Sequence, residues 1–283
     1  MKNLLSLLLV LGVFVTQGNC FAQVKKFRIF NALLYKNTPS LQEYGFEKIF
    51  LFYEDELLDM PGVVKDNSGR RINETKILKA ARYSKKDSRV PVCLDIESWP
   101  LDGTYKQASR EKYLKTLEIF RRTNKISRIG YFGVFPMDSP HADYSFNSKI
   151  RESVIMPKWN STNNYFKNVG RAVDIYYPVF YTRYKDHETW VKIVKEKVSK
   201  IREINKNAVI YGFVWPQYYT NDGKFAFIED DIWYKQLETL YKYCDGAVIW
   251  SHYKGADGKV AEFSTTMPWF VATKKFINKY NIK

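Results

Sequence analysis

Asp95 and Glu97 are separated by a single residue. On an extended strand, side chains two apart point to the same face, with their Cα atoms about 6.5–7 Å apart. Two carboxylates so placed repel each other, and one of them keeps a proton near neutral pH, the state a general acid needs. The same pair can instead cap a following helix or bridge to Arg and Lys. For an isolated Asp-x-Glu that bland reading is the commoner one. Here the apolar run Val92-Cys93-Leu94 leads into the pair, and Trp99 follows it. Tyr177 and Trp250 close later apolar runs in the same manner. Either one alone fits a core position. Together they would wall a pocket, the phenol offering a hydrogen bond and the indole a flat face for sugars and acetamide methyls. A carboxylic acid, a phenol and an indole around one pocket suit glycoside hydrolysis.

The elements that must carry these residues alternate between two hydrophobic periods. Apolar runs of strand length occupy Phe27–Leu33, Lys48–Tyr53, Val90–Glu97, Ile126–Val134, Ala172–Phe180, Ala208–Trp215 and Gly246–Ser251. Most are apolar without a break, as strands buried on both faces are. Amphipathic stretches at Asn73–Lys86, Ser109–Thr123, His187–Asn205, Asp230–Tyr243 and Thr265–Tyr280 predict helices between them. The interval from Phe135 to Gly170 has weak patterning, is rich in Asn, Ser and Pro, and is expected to be a long loop with some helix on the active face. Strand–helix alternation repeated about seven times predicts an α/β fold, a distorted TIM-like (β/α) barrel of seven or eight mainly parallel strands. An open doubly wound sheet is the main rival, but no glycine fingerprint follows the first strand. In a barrel, chemistry sits where strands finish. The candidates there are Asp95, Glu97 and Tyr177 for catalysis. Trp99, Tyr131, Phe132, Tyr181, Trp215 and Trp250 are candidates for substrate binding.

Composition narrows the partners. The chain has 283 residues, 45% of them hydrophobic, so it can bury a large core, and aromatics reach 17%. The formal charge of +15 admits an anionic polysaccharide or nucleic acid as partner. The basic residues are scattered through helical stretches without a nucleic-acid motif, which disfavours nucleic acid. His141, His187 and His252 lack ligand spacing, so neither a metal nor another cofactor is expected. Lys2 and the Leu-rich run from Leu4 to Val15 predict a secretory leader cut after Ala22. That makes the mature chain, 23–283, one exported catalytic domain, secreted or periplasmic, with no transmembrane segment. Lipidation at Cys20 is the alternative, with Asn19 a poor neighbour for it. Cys93 and Cys244 then remain, either joined or as two buried thiols.

Asp95-Ile96-Glu97-Ser98-Trp99-Pro100 resembles the Asp-(Phe/Trp)-Glu-x-Trp-Arg-Pro motif of the animal and venom hyaluronidases, without its Arg. Gly130-Tyr131-Phe132-Gly133 with Phe135-Pro136 resembles that family's Gly-(Phe/Tyr)-Tyr strand and its Pro. Tyr177-Pro178-Val179-Phe180-Tyr181 is similar to its Tyr-Pro-x-x-Tyr motif, and Gly246-Ala247-Val248-Ile249-Trp250 to its Gly-x-Val-x-Trp. The matches run in the family's order from Asp95 to Trp250; the family's disulfide framework is absent, and the composition suits a bacterial relative. The resemblance implies a distorted barrel with seven main strands and a substrate-assisted retaining mechanism. In it Glu97 is the acid and then the base, and the substrate's acetamido oxygen is the nucleophile. Asp95 orients Glu97 or the acetamido group, Tyr177 hydrogen-bonds that group, and Trp250 packs on its methyl. Tyr131 or Phe132 matches the family's tyrosine; if Phe132 does, one site hydroxyl is missing. The chitinases also use Asp-x-Glu, but with Asp where Cys93 and Val90 stand here.

The first functional reading is therefore an exported hydrolase of β-linked N-acetylhexosamine polymers of the hyaluronan or chondroitin kind. The alternatives are a barrel that binds a glycan without cleaving it, and a glycosidase on a sugar lacking an acetamide. The last needs a protein nucleophile, for which Asp174 and Asp138 are the candidates.

Overall fold

A computed structural model describes residues 26–60, 62, 68–138, 148–183, 185–219 and 225–282. The predicted leader, its cut after Ala22 and Cys20 lie outside the described residues. The strands are β1 (Arg28–Ala32), β2 (Phe46–Lys48), β3 (Phe50–Tyr53), β4 (Val92–Asp95), β5 (Ile129–Tyr131), β6 (Ile175–Tyr176), β7 (Val209–Val214) and β8 (Gly246–Trp250). All their pairings are parallel, in the orders β2-β1-β8-β7-β6 and β3-β4-β5. β2 and β3 are consecutive and separated only by Ile49, the first pairing with β1 and the second with β4, and the run Lys48–Tyr53 covers β3 and the end of β2. The wall thus has seven positions, as the seven apolar runs predict. It closes between β5 and β6: Asp174 N donates to Ile129 O (2.8 Å) and Gly133 N to Tyr177 O (3.0 Å). Gly130 permits this seam, because a Cβ there would lie 2.0 Å from Ile175 O.

The unbroken apolarity of the strands has a direct cause. Alternate residues face two different cores. Phe30, Cys93, Ile175, Tyr177, Tyr211, Phe213 and Val248 fill the barrel. Their neighbours Ile29, Leu94, Tyr131, Tyr176, Ile210 and Ile249 face the helices. Cys93 and Cys244 are both buried and no disulfide joins them.

The helices are α1 (Glu74–Lys85), α2 (Lys106–Thr123), α3 (Ser148–Ile150), α4 (Met156–Ala172), α5 (His187–Ile204), α6 (Asp230–Tyr243) and α7 (Pro268–Tyr280), with a π-helical turn at Arg151–Ile155. Asn73 caps α1 by accepting from Lys76 N, and Asp186 caps α5 by accepting from Glu188 N and Thr189 N. Arg121 and Arg122 sit in the last turn of α2, where the helix dipole favours them. The connection from β1 to β2 holds only a 3-10 turn, Gln42–Tyr44, which is one way the barrel departs from regularity. Helix α4 corrects the expectation of a long loop after Phe135. Its buried stripe runs Trp159, Thr162, Asn163, Phe166, Val169, Gly170. Three of those six are small or polar, so the apolar period is diluted. Asn163 is buried there because its side chain is satisfied, donating to Trp159 O (2.9 Å) and accepting from Met137 N (2.9 Å). Among the described residues, no helix is long and apolar enough to cross a membrane.

Candidate active site

Strand β4 ends at Asp95, whose register partner on β3 is Tyr53. Asp95 Oδ1 is buried and finds no hydrogen-bond partner among the described residues. Burial first, then the nearby charges of Glu97 and Glu54, push the Asp95 carboxyl up to about 8. It is therefore a neutral acid at pH 7. Glu97 does not share the strand with it. The chain leaves the sheet after Asp95, Ile96 turns into the core, and Glu97 emerges at the barrel mouth, lining the cavity. Two bonds pin this turn: Tyr113 Oη donates to Ile96 O (2.9 Å) and Trp99 Nε1 to Arg70 O (2.7 Å). Burial, Glu54 and Asp138 raise the Glu97 carboxyl above its ordinary value. The repulsion expected of the pair is present, although only one member lies on the strand.

Glu54, just past β3, is a third carboxylate that sequence reasoning missed. Its Oε2 accepts from Ser98 N (3.0 Å) and Glu97 N (3.3 Å), and its Oε1 accepts from Arg70 (3.2 Å). The signal was available, since Phe50-Leu51-Phe52-Tyr53-Glu54 is an apolar run ending in a phenol and an acid like the others. Tyr53 went unnoticed for the same reason. Its hydroxyl accepts from Trp250 Nε1 at 3.1 Å, which fixes the indole at the end of β8.

Facing the acids is an aromatic wall. Tyr181 stacks on Trp250, with centroids 5.6 Å apart and planes 23° apart. Trp215 meets Trp250 edge to face at 5.2 Å and 79°, its Nε1 donating to Gln217 (2.9 Å). His252 and Phe225 continue the wall, their rings 5.6 Å apart and nearly parallel at 12°. Between wall and acids lies a cavity of about 530 Å³, of a size that holds a small ligand. Aromatic faces opposite carboxyl groups suit a sugar, whose axial C–H faces stack while its hydroxyls take polar contacts.

Seven of the nine candidates from the sequence line this cavity: Asp95, Glu97, Trp99, Phe132, Tyr181, Trp215 and Trp250. The other two lie elsewhere. Tyr131 points outward to α2, where its hydroxyl donates to Tyr113 O (2.7 Å). Phe132 is thus the residue of that pair at the cavity, and it has no hydroxyl. Tyr177 points inward but sits in the barrel filling, fully buried, its hydroxyl without a partner among the described residues. Tyr181, four residues on, lines the cavity, with Tyr219 beside it. Of the two alternative nucleophiles, Asp174 is at the opposite end of the barrel, bonded to Arg121 (3.1 Å) and Ile129 N (3.1 Å). Asp138 does line the cavity, held by Lys197 (2.6 Å) and Arg183 (2.9 Å).

No protein-family profile matches the chain, and no curated protein sequence is similar to it. Among solved structures it is similar to bee venom hyaluronidase, with TM-score 0.56 and 13% identity over 90% of this chain and 97% of that one. The bee venom enzyme in complex with a hyaluronic acid tetramer matches equally, at 0.56 and 14% over 90% and 96%. A family 1 β-glucosidase from Thermotoga maritima follows at 0.47 and 11%, covering 85% of this chain and 75% of that one. The chain therefore shares the distorted barrel fold of a hyaluronidase, as its motifs led us to expect.

Proposed function

We propose that the protein is an exported glycoside hydrolase that cleaves β-linked N-acetylhexosamine polysaccharides by a substrate-assisted, retaining mechanism. The observation that carries the reading is a neutral carboxylic acid, Asp95, beside Glu97 and opposite the Tyr181–Trp250–Trp215 wall. The motifs shared with hyaluronidases, whose fold the chain has, point the same way.

In this reading Trp250 and Tyr181 hold the acetamido-bearing sugar. Glu97 gives its proton to the glycosidic oxygen as the bond from that oxygen to C1 breaks. The acetamido oxygen of the same sugar attacks C1 and forms an oxazolinium ring, whose N–H donates a hydrogen bond to Asp95 Oδ1 while Asp95 keeps its own proton. Water then attacks C1 and reopens the ring, its proton passing to the Glu97 carboxylate, and the product keeps its configuration. Tyr177 was the expected partner of the acetamido group. We assign that contact to Tyr181, because the Tyr177 hydroxyl is enclosed in the barrel.

Glu97→Gln tests the mechanism. Hyaluronan, chondroitin and N-acetylated chitin oligomers are incubated with each protein and the products read by mass. The expected result is fragments ending in a reducing N-acetylhexosamine, with turnover at least 10³-fold lower in the variant at an unchanged melting temperature. Retained turnover would refute the assignment of Glu97. The placement of Phe132 where the family has a tyrosine favours a second reading, a barrel that binds such glycans without cutting them. Saturable binding with no new reducing ends from the wild-type protein would establish that one instead.

A further inference from the structure

The loop that carries Glu97 hangs on one side chain from a different part of the chain. Glu54 Oε2 accepts from both Glu97 N and Ser98 N. Its other oxygen takes a hydrogen bond from Arg70, whose side chain is only 8% exposed and which also donates to Asp55 (2.7 Å) and Asp59 O (2.7 Å). Arg70 O in turn receives Trp99 Nε1. The two ends of the segment 97–99 are therefore tied to the same pair, Glu54 at the start and Arg70 at the close. Gly69 packs under this turn so tightly that a Cβ there would lie 2.2 Å from Ser98 O. A carboxylate bonded to two successive amides fixes the backbone orientation from which the next side chain projects, and bonds to a charged acceptor are the stronger kind. The same carboxylate lies against the Glu97 backbone, one residue from Ile96 and two from Asp95, and a negative charge there disfavours ionisation of the acid pair.

We propose that Glu54 is a positioning residue for the reaction. It holds the Glu97 backbone in register with Asp95 and places a fixed negative charge beside the pair, so that the pair retains a proton. The proposal rests on the glycosidase reading of this site. Burial and Glu54 both raise Asp95 and Glu97, which agrees with it. No strand pairing requires Glu54, since β3 ends at Tyr53.

Glu54→Gln removes the charge and keeps the shape and one acceptor oxygen; Glu54→Asp keeps the charge on a shorter arm. A nearby unit charge, partly offset by Arg70, moves a neighbouring carboxyl by roughly 0.5–1 pH unit. Two readouts are needed. The first is the titration of Asp95 by carbon NMR on aspartate-labelled protein, assigned with Asp95→Asn, which does not depend on activity. The second is kcat, KM and the pH profile of kcat/KM on whichever N-acetylhexosamine polymer the wild type cuts. In Glu54→Gln the Asp95 titration and the alkaline limb should both fall by roughly 0.5–1 unit. Its kcat should drop about tenfold or more with KM within about threefold, and Glu54→Asp should restore the titration. An Asp95 titration unmoved in folded Glu54→Gln would overturn the proposal. A titration that moves while the wild type cuts none of the polymers would support the electrostatic role and overturn the glycosidase reading alone.

Discussion

Asp95→Asn should make the protein more stable in mild base and change it little in mild acid. In the folded protein the Asp95 carboxyl is pushed up to about 8. In the unfolded chain it titrates near its ordinary value of about 3.9. Between those values the folded state binds the proton and the unfolded state does not, so stability falls as pH rises, and the full cost is present above pH 8. Each unit is worth about 1.36 kcal/mol, so the window from pH 5 to 8.5 spans at most about 4 kcal/mol. Asp95 is partly exposed at the mouth, and water screens the charge it takes on, so roughly 2 kcal/mol is expected. Asn is close in shape to the neutral acid and cannot ionise. Calorimetry of both proteins at pH 5 and pH 8.5 isolates the effect, because other titrating groups largely cancel in the difference. The variant's melting temperature should gain about 4–6 °C on the wild type between the two pH values. Its turnover should fall by more than a hundredfold throughout. A difference in melting temperature that does not change with pH, or that changes in the other direction, would refute the claim that the site stores a proton on Asp95 at the expense of stability.

Three further variants are predicted from where the phenols and the buried lysine lie. Tyr177→Phe should leave turnover within about twofold and raise stability by up to ~1 kcal/mol, since it removes an unpartnered buried hydroxyl. Tyr181→Phe should lower kcat/KM about tenfold or more at unchanged stability, and the reverse ranking in steady-state assays would restore Tyr177 to the acetamido contact. Lys197, with its side chain 1% exposed, donates to Asp138 (2.6 Å) and to Val179 O (2.7 Å). Lys197→Met fills the stem but loses these bonds, and should cost about 3 kcal/mol, read as a fall of roughly 6–9 °C in melting temperature. No loss would mean that this buried pair contributes nothing net.

Much of this molecule is written in local pattern. Strand and helix periods depend on a few consecutive residues, so seven wall positions and five of the helices could be placed before any contact was known. Strand ends are equally local, and they single out Asp95, Tyr181 and Trp250, whereas Tyr131 and Phe132 are told apart only by the structure, which turns Phe132 to the cavity. Helix α4 escaped because Thr162, Asn163 and Gly170 occupy its buried stripe, and their fit depends on partners such as Met137 N rather than on period. Depth along the barrel axis also escaped. Tyr177 and Tyr181 have the same parity, and only the stagger of β6 against its neighbours decides which is enclosed and which reaches the cavity. Tyr53 and Glu54 reach the acids from more than 40 residues away. Their place beside Asp95 is a matter of the β3–β4 register, in which Tyr53 stands opposite Asp95. Residue type and period are properties of a segment. The depth of a side chain and the charge it feels are properties of how segments close on one another, and here those two quantities set which phenol faces the cavity and which carboxyl keeps its proton.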